Sequence, residues 1–318
     1  MKTAFVFPGQ GSQYVGMGRD LAERYPEARQ VCERADAALG EKLSALCFGG
    51  DEERLKLTAN TQPAILTVSL AAHAVLAARG AGCLGVAGHS LGEYSAIGAA
   101  GGLPVEDLVR IVRRRGELMQ LAVPVGEGAM SAVLGPTREA VEAICREASG
   151  GGGVVVAANF NAPEQTVIAG SAAAVARAGE LLAAAGAKRV VPLPVSAPFH
   201  SPLMVPAREG LAPVLAAAGF GDLEVPLYNN VDAAPVTVAA AVRDGLVRQV
   251  DAPVRWVELV ARMAADGFDT FVEVGPGSVL SGLTRRIAKG VTTLQVGTVE
   301  QLEAYLNAVE SRASGVGS

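Results

Sequence analysis

The residue whose surroundings speak most directly of chemistry is Ser90. It lies in Gly88-His89-Ser90-Leu91-Gly92, the G-x-S-x-G spacing that raises a serine on a sharp strand-to-helix turn. Glycines two positions to either side let neighbouring backbone pass without clashes. The helix that follows aims its free N–H groups at the same place. Five common residues also fit an ordinary strand–turn–helix, so the apolar run before them and the helix-compatible segment after them carry the weight. A serine hydroxyl needs a base, and the chain has three histidines. His73 falls inside the alanine-rich helix 64–78, as a packing or surface residue. His89 adjoins the serine with its side chain pointing away from the attacking face, in a structural hydrogen bond. His200 sits in the proline-bracketed loop Ser196-Ala197-Pro198-Phe199-His200-Ser201-Pro202 and is, by elimination, the best base; the alternative is a satisfied structural histidine.

A serine hydrolase places its acid between serine and a late histidine. Here Asp107 is the only aspartate between them, and it reads as a helix cap, while His200 is mid-chain. A backbone carbonyl or an amide is left to orient the imidazole, so the pattern is not that of an ordinary esterase. No cluster of His, Cys and carboxylates has metal-ligand spacing. The four cysteines (Cys32, Cys47, Cys83 and Cys145) are far apart and read as reduced structural thiols.

The elements that must hold these groups follow from pattern. Residues 3–8 predict a buried strand ended by the turn Gly9-Gln10-Gly11-Ser12, and 83–87 a second strand feeding the serine. A helix is predicted from about Thr61-Gln62-Pro63, with proline in its first turn. Strands near 225–228, 269–274 and 292–296, separated by helices, predict a mostly parallel sheet covered on both faces. The middle differs: strands at 129–134, 154–158, 165–170 and 188–193 alternate with helices at 137–148 and 172–185. The order strand–helix–strand–strand–helix–strand is that of a ferredoxin-like module. The expected organisation is a discontinuous hydrolase-like α/β domain, 1–125 and 198–311, carrying a ferredoxin-like subdomain at 126–197, with a flexible tail at 312–318.

Composition narrows the partners. Half of the 318 residues are hydrophobic, enough for a sizeable core, and the net charge of −5 comes without a long Lys/Arg stripe, which argues against nucleic acid. The apolar start is too short for a secretory signal, and the apolar stretches at 64–78 and 94–103 fall short of a membrane span. A cytoplasmic protein with no membrane association is expected.

Several segments together resemble the malonyl-CoA:acyl carrier protein transacylases of bacterial fatty acid synthesis, over nearly the whole chain. They are Phe7-Pro8-Gly9-Gln10-Gly11-Ser12-Gln13, Gly88-His89-Ser90-Leu91-Gly92-Glu93-Tyr94, Arg115-Gly116, Asn159-Phe160-Asn161, Pro198-Phe199-His200, Arg248-Gln249 and Glu273-Val274-Gly275-Pro276-Gly277. The resemblance implies that Ser90 attacks malonyl-CoA while His200 takes its proton. It also implies that the main-chain carbonyl of Gln249 orients His200, although from the residues alone Gln249 fits a solvated helix end. The backbone N–H groups of Leu91 and Gln10 would form the oxyanion hole; the turn around Gln10 reads equally as a plain tight turn. Arg115 would clamp the free carboxylate of malonate with its two-pronged guanidinium, whereas the run Arg113-Arg114-Arg115 alone reads as a solvated face. His89, Asn159 and Asn161 fall among the matching segments and are expected at the substrate site. Phe199 would crowd a 2-methyl substituent.

The resemblance implies a ping-pong transfer to the phosphopantetheine thiol of acyl carrier protein, for which no metal or bound cofactor is needed; a monomer is expected. Arg189, Arg285 and Arg286 are candidates for docking an acidic carrier. Three other readings stand beside it: a stand-alone acyltransferase of a polyketide synthase, a serine thioesterase or esterase, and a non-catalytic carrier-docking protein.

Overall fold

The computed structural model describes residues 2–195 and 197–314, with side chains described as far as residue 311. Two sheets organise the chain. The first has six strands in the order β10-β9-β1-β2-β7-β8. In chain order its members are β1 (Thr3–Phe7), β2 (Val86–Gly88), β7 (Leu227–Tyr228), β8 (Pro235–Val236), β9 (Thr270–Val274) and β10 (Thr292–Val296). β1 lies parallel between β2 and β9, and only the short β8 runs antiparallel, against β7. β1 and β9 are buried at every position, as strands covered on both faces must be. The five strands predicted for this sheet are present. The two-residue β8 left no pattern to read.

The second sheet has β3 (Gly128–Leu134), β4 (Val155–Ala162), β5 (Gln165–Ser171) and β6 (Arg189–Pro192), in the order β4-β5-β3-β6 and antiparallel throughout. Helices Arg138–Ala148 and Ala172–Ala184 pack on it, which is the ferredoxin-like arrangement. Thr137 caps the first of these helices by accepting from the Ala140 N–H. β4 is longer than the 154–158 expected. It carries two register shifts and runs through Asn159 and Asn161, and the turn moves to Pro163-Glu164. β4 is also pinned to the other half of the chain: Phe160 N–H donates to the Val254 carbonyl and Val254 N–H to that of Ala158, both at 2.9 Å.

Two expectations about helices need correction. The helix expected from Thr61 begins at Thr58, so Pro63 sits beyond its first turn. The preceding short helix Glu52–Lys56 ends at Leu57, whose carbonyl accepts from Asn60 and Thr61 and starts the new turn early. The same helix, Thr58–Ala78, is long and apolar enough by composition to cross a membrane, contrary to the reading of 64–78. Fully 78% of its most apolar window is buried inside the protein, so it is the central core helix. Helix Val299–Ser314 runs past residue 311, into the expected tail; residues 315–318 lie outside the described residues.

Candidate active site

The turn between β2 and helix Gly92–Ala99 is built by exclusion. A Cβ on Gly88 would fall 1.9 Å from the Gly92 carbonyl carbon, and one on Gly92 would fall 2.0 Å from the Phe7 oxygen. Only glycine lets the two segments cross this closely. Ser90 between them is held at φ 51°, a left-handed conformation costing about 1–3 kcal/mol for a residue with a Cβ. His200 is held at φ 58°. The two strained residues meet: Ser90 Oγ lies 2.7 Å from His200 Nε2.

The histidine's tautomer follows from its other side. His200 Nδ1 lies 3.0 Å from the Gln249 carbonyl and 3.1 Å from that of Ala252. Carbonyls only accept, so Nδ1 carries the ring proton and Nε2 presents a lone pair to the Ser90 hydroxyl. No aspartate takes part; the expected backbone orienter is present, and a second carbonyl joins it. Burial, followed by the nearby charge of Arg115, lowers the His200 pKa to about 3, so the ring is neutral at physiological pH.

Arg115 is separated from its neighbours by helix phase, each residue turning about 100° from the last. On helix Val105–Leu121, Arg114 points outward to Glu117, and Arg113 bonds Glu41 and Asn60. Arg115 points inward and is 1% exposed. One terminal nitrogen donates to Gln62 Oε1 at 2.8 Å; the other donates to Ser90 Oγ at 3.1 Å and to Gln249 Oε1 at 3.0 Å. Its Nε has no partner, and among the described residues no carboxylate lies within ion-pair distance. A buried guanidinium without a carboxylate is costly unless something that enters the site supplies one.

Of the catalytic, oxyanion-hole and substrate-site residues named from the sequence, all except Gln249 line one cavity of about 150 Å³: Gln10, Leu91, Ser90, His200, Arg115, Phe199, Asn159, Asn161 and His89. Gln249 stands just behind it, wholly buried rather than at a solvated helix end. His89 Nε2 meets Asn161 Oδ1 at 2.8 Å and its ring tilts against Trp256, the structural placement expected of it. His73 packs edge-on against Phe5 and Phe7. The backbone N–H groups of Gln10 and Leu91 make no hydrogen bond among the described residues, and both residues border the cavity. Asn159 is buried where β4 bridges to Val254. The Glu273-to-Gly277 segment lies elsewhere: Glu273 receives the Leu280 and Ser281 N–H groups and anchors the start of helix Val279–Ile287. Among the described residues no three His, Cys, Asp or Glu side chains gather as a metal site.

Three buried residues of the site escaped the sequence reading. Asn230 Oδ1 accepts the Ser90 N–H at 2.7 Å, and its Nδ2 donates to the Gly88 carbonyl at 2.7 Å, bracing both sides of the strained turn. Glu93 Oε2 accepts from the Asn230 N–H and from Gln249 Nε2, and burial pushes this carboxyl up to about 7. Gln62 holds Arg115. The segment ending β7 and the motif containing Glu93 were both in view, but nothing local shows that they meet. Arg248, bonded twice to Asp232, ties the end of the Gln249 helix to the turn carrying Asn230.

A parallel sheet with a nucleophile turn, a serine–histidine pair and a buried arginine defines a serine acyltransferase. Residues 4–304 match the family model described as an acyl transferase domain. The chain is 49% identical over 308 residues to the malonyl CoA-acyl carrier protein transacylase of Escherichia coli strain K12, covering 96% of this chain and 98% of that one. Among solved structures it resembles an acyl carrier protein S-malonyltransferase from Vibrio cholerae, with TM-score 0.93 and 47% identity over 96% of this chain and all of that one. It also resembles a malonyl-transacylase in complex with its holo acyl-carrier protein from a type II polyketide synthase (PKS), with TM-score 0.94 and 44% identity over 97% of this chain and all of the other. The chain belongs to the malonyl CoA-acyl carrier protein transacylase family.

Proposed function

We propose that this chain moves a malonyl group from malonyl-CoA to the phosphopantetheine thiol of an acyl carrier protein, through malonyl-Ser90. The observation that carries the reading is the carboxylate-free, buried Arg115 beside a Ser90–His200 pair. A substrate acid fits the guanidinium as a two-pronged ion pair and fixes the thioester over Ser90.

In the first half-reaction Ser90 Oγ attacks the thioester carbon as its proton passes to His200 Nε2. The N–H groups of Gln10 and Leu91 receive the developing oxyanion. The carbonyl re-forms, the C–S bond breaks, and the CoA sulfur leaves with the proton from His200. In the second half-reaction the carrier thiol gives its proton to His200 and attacks the ester carbon; Ser90 Oγ takes that proton back as it leaves. Because the His200 pKa is depressed in the empty site, the ring returns to its neutral form between half-reactions. A malonate carboxylate on Arg115 offsets the charge that helps depress it, making His200 a stronger base once substrate is in place.

Phe199, 8% exposed beside His200, crowds the position of a 2-methyl group and disfavours methylmalonyl. The carrier docks over a groove of about 550 Å³ bordered by Lys188, Arg189, Arg286 and Lys289. Arg285 stands apart from it, bonded to Thr293. The protein acts as a cytoplasmic monomer without a metal or bound organic cofactor, in fatty acid biosynthesis. The likeness to a transacylase that serves a polyketide carrier supports a second reading, a trans-acting acyltransferase of that pathway.

The test loads the enzyme with malonyl-CoA, removes CoA, and adds holo carriers from fatty acid and polyketide systems in separate arms. Transfer to the fatty acid carrier with little free malonate supports the reading. Transfer only to the polyketide carrier selects the second reading, and release of malonate at the same rate without any carrier makes the protein a thioesterase.

A further inference from the structure

We propose that Gln62 and Gln249 form an uncharged amide clamp on Arg115, and that Gln62 thereby sets the preference for acyl groups bearing a carboxylate. The proposal rests on the reading of Arg115 given above and names the positioning residues that make it work.

The two terminal nitrogens of Arg115 are held from opposite sides by amide oxygens, Gln62 Oε1 at 2.8 Å and Gln249 Oε1 at 3.0 Å. Each amide is locked with its oxygen toward the arginine. Gln249 Nε2 donates to the Ser90 carbonyl and to Glu93 Oε2, which fixes its orientation. Gln62 Nε2 faces the Met119 thioether at 3.7 Å, a weak acceptor that leaves only the oxygen for Arg115. Gln62 is 1% exposed and Gln249 wholly buried, so neither amide turns freely.

The clamp gives hydrogen bonds without neutralising charge. A carboxylate at position 62 has almost the same shape and would sit within ion-pair distance. The cation would then be satisfied internally, and a malonyl carboxylate arriving beside it would meet a like charge. Glu93, the nearest acid in this network, is held one residue away behind the Gln249 amide. Amides where carboxylates would fit therefore keep one buried positive charge waiting for substrate, while a neutral acyl group entering the cavity leaves it unpaired.

The experiment follows Ser90 acylation by intact-protein mass with malonyl-CoA and acetyl-CoA, in wild type, Gln62→Glu, Gln62→Met and Arg115→Ala. The clamp predicts that Gln62→Glu lowers the malonyl-to-acetyl rate ratio about 100-fold while acetyl labelling persists. Persisting acetyl labelling also shows that the site is folded, and a merely structural residue would slow both substrates together. Gln62→Met, which loses the acceptor without adding charge, is expected to raise the malonyl-CoA concentration needed for half-maximal labelling several-fold with no such rise for acetyl-CoA. An unchanged ratio in Gln62→Glu overturns the clamp if Arg115→Ala has lost the malonyl preference. If Arg115→Ala keeps that preference, the reading of Arg115 itself fails and takes the clamp with it. Should Gln62→Glu be labelled by neither substrate, Gln62→Met decides, and equal effects on both substrates overturn the proposal.

Discussion

The two sheets divide the work unequally. The parallel sheet and its connections supply the nucleophile, the buried cation and the amides that brace them: Ser90 after β2, Arg115 on a covering helix, Asn230 after β7 and Gln249 at the end of helix Ala239–Gln249. His200 comes from the segment returning out of the second sheet, and its Nδ1 is held by carbonyls of the first half. The antiparallel sheet contributes a wall, with Met130, Val167, Asn159 and Asn161 facing the cavity. A parallel sheet converges its strand ends and helix N-termini on one edge, where a strained turn is braced from several sides. A small antiparallel sheet offers a replaceable surface that shapes what enters. Damage to the first half should therefore stop chemistry, and damage to the second should alter substrate handling.

Removing the base should have the largest effect. His200→Ala is expected to lower kcat by about 10,000-fold or more, since neither carbonyl behind it can accept the serine proton in its place; steady-state turnover of malonyl-CoA with a holo carrier measures this. Arg115→Ala is expected to lower kcat/KM for malonyl-CoA by about 100- to 1,000-fold, with acetyl-CoA much less affected. Parallel kinetics on the two esters check it, and an equal loss on both would mean that the arginine serves only the fold. Asn230→Ala removes two hydrogen bonds from the Ser90 turn. It should lower kcat about 10- to 100-fold with little change in KM and reduce stability by about 1–3 kcal/mol; turnover together with urea unfolding tests both.

The smallest effect belongs to the second sheet. Arg189→Glu on β6 should raise KM for the carrier about 10-fold, more at low salt, and leave Ser90 acylation by malonyl-CoA unchanged. If this substitution abolished acylation, or if Asn230→Ala altered only the carrier KM, the division between the sheets would be wrong.

What could be read from the sequence follows the range of the interactions involved. The turn at Ser90 was legible because its glycines and apolar strand are adjacent in the chain, and the ferredoxin-like module because element order is local. His200 emerged from a choice among three histidines. Arg115 and Gln249 came through resemblance: no local pattern tells a buried arginine from Arg113 and Arg114, and helix phase alone sends it inward. Asn230, Glu93 and Gln62 could not be read, because the partners described above lie 53 to 156 residues away and lone amide or carboxyl side chains leave no periodic trace. Pro63 misled for a related reason. Its place in a helix depends on where the preceding turn ends, which Leu57 decides.

The most direct test of the central claim is the intact mass of the protein after brief incubation with malonyl-CoA, beside acetyl-CoA and a Ser90→Ala variant. The account predicts one malonyl adduct on the wild type, none on the variant, and weak labelling by acetyl-CoA. An adduct that persists in Ser90→Ala, or a wild-type protein that neither labels nor turns over any acyl-CoA, would contradict it.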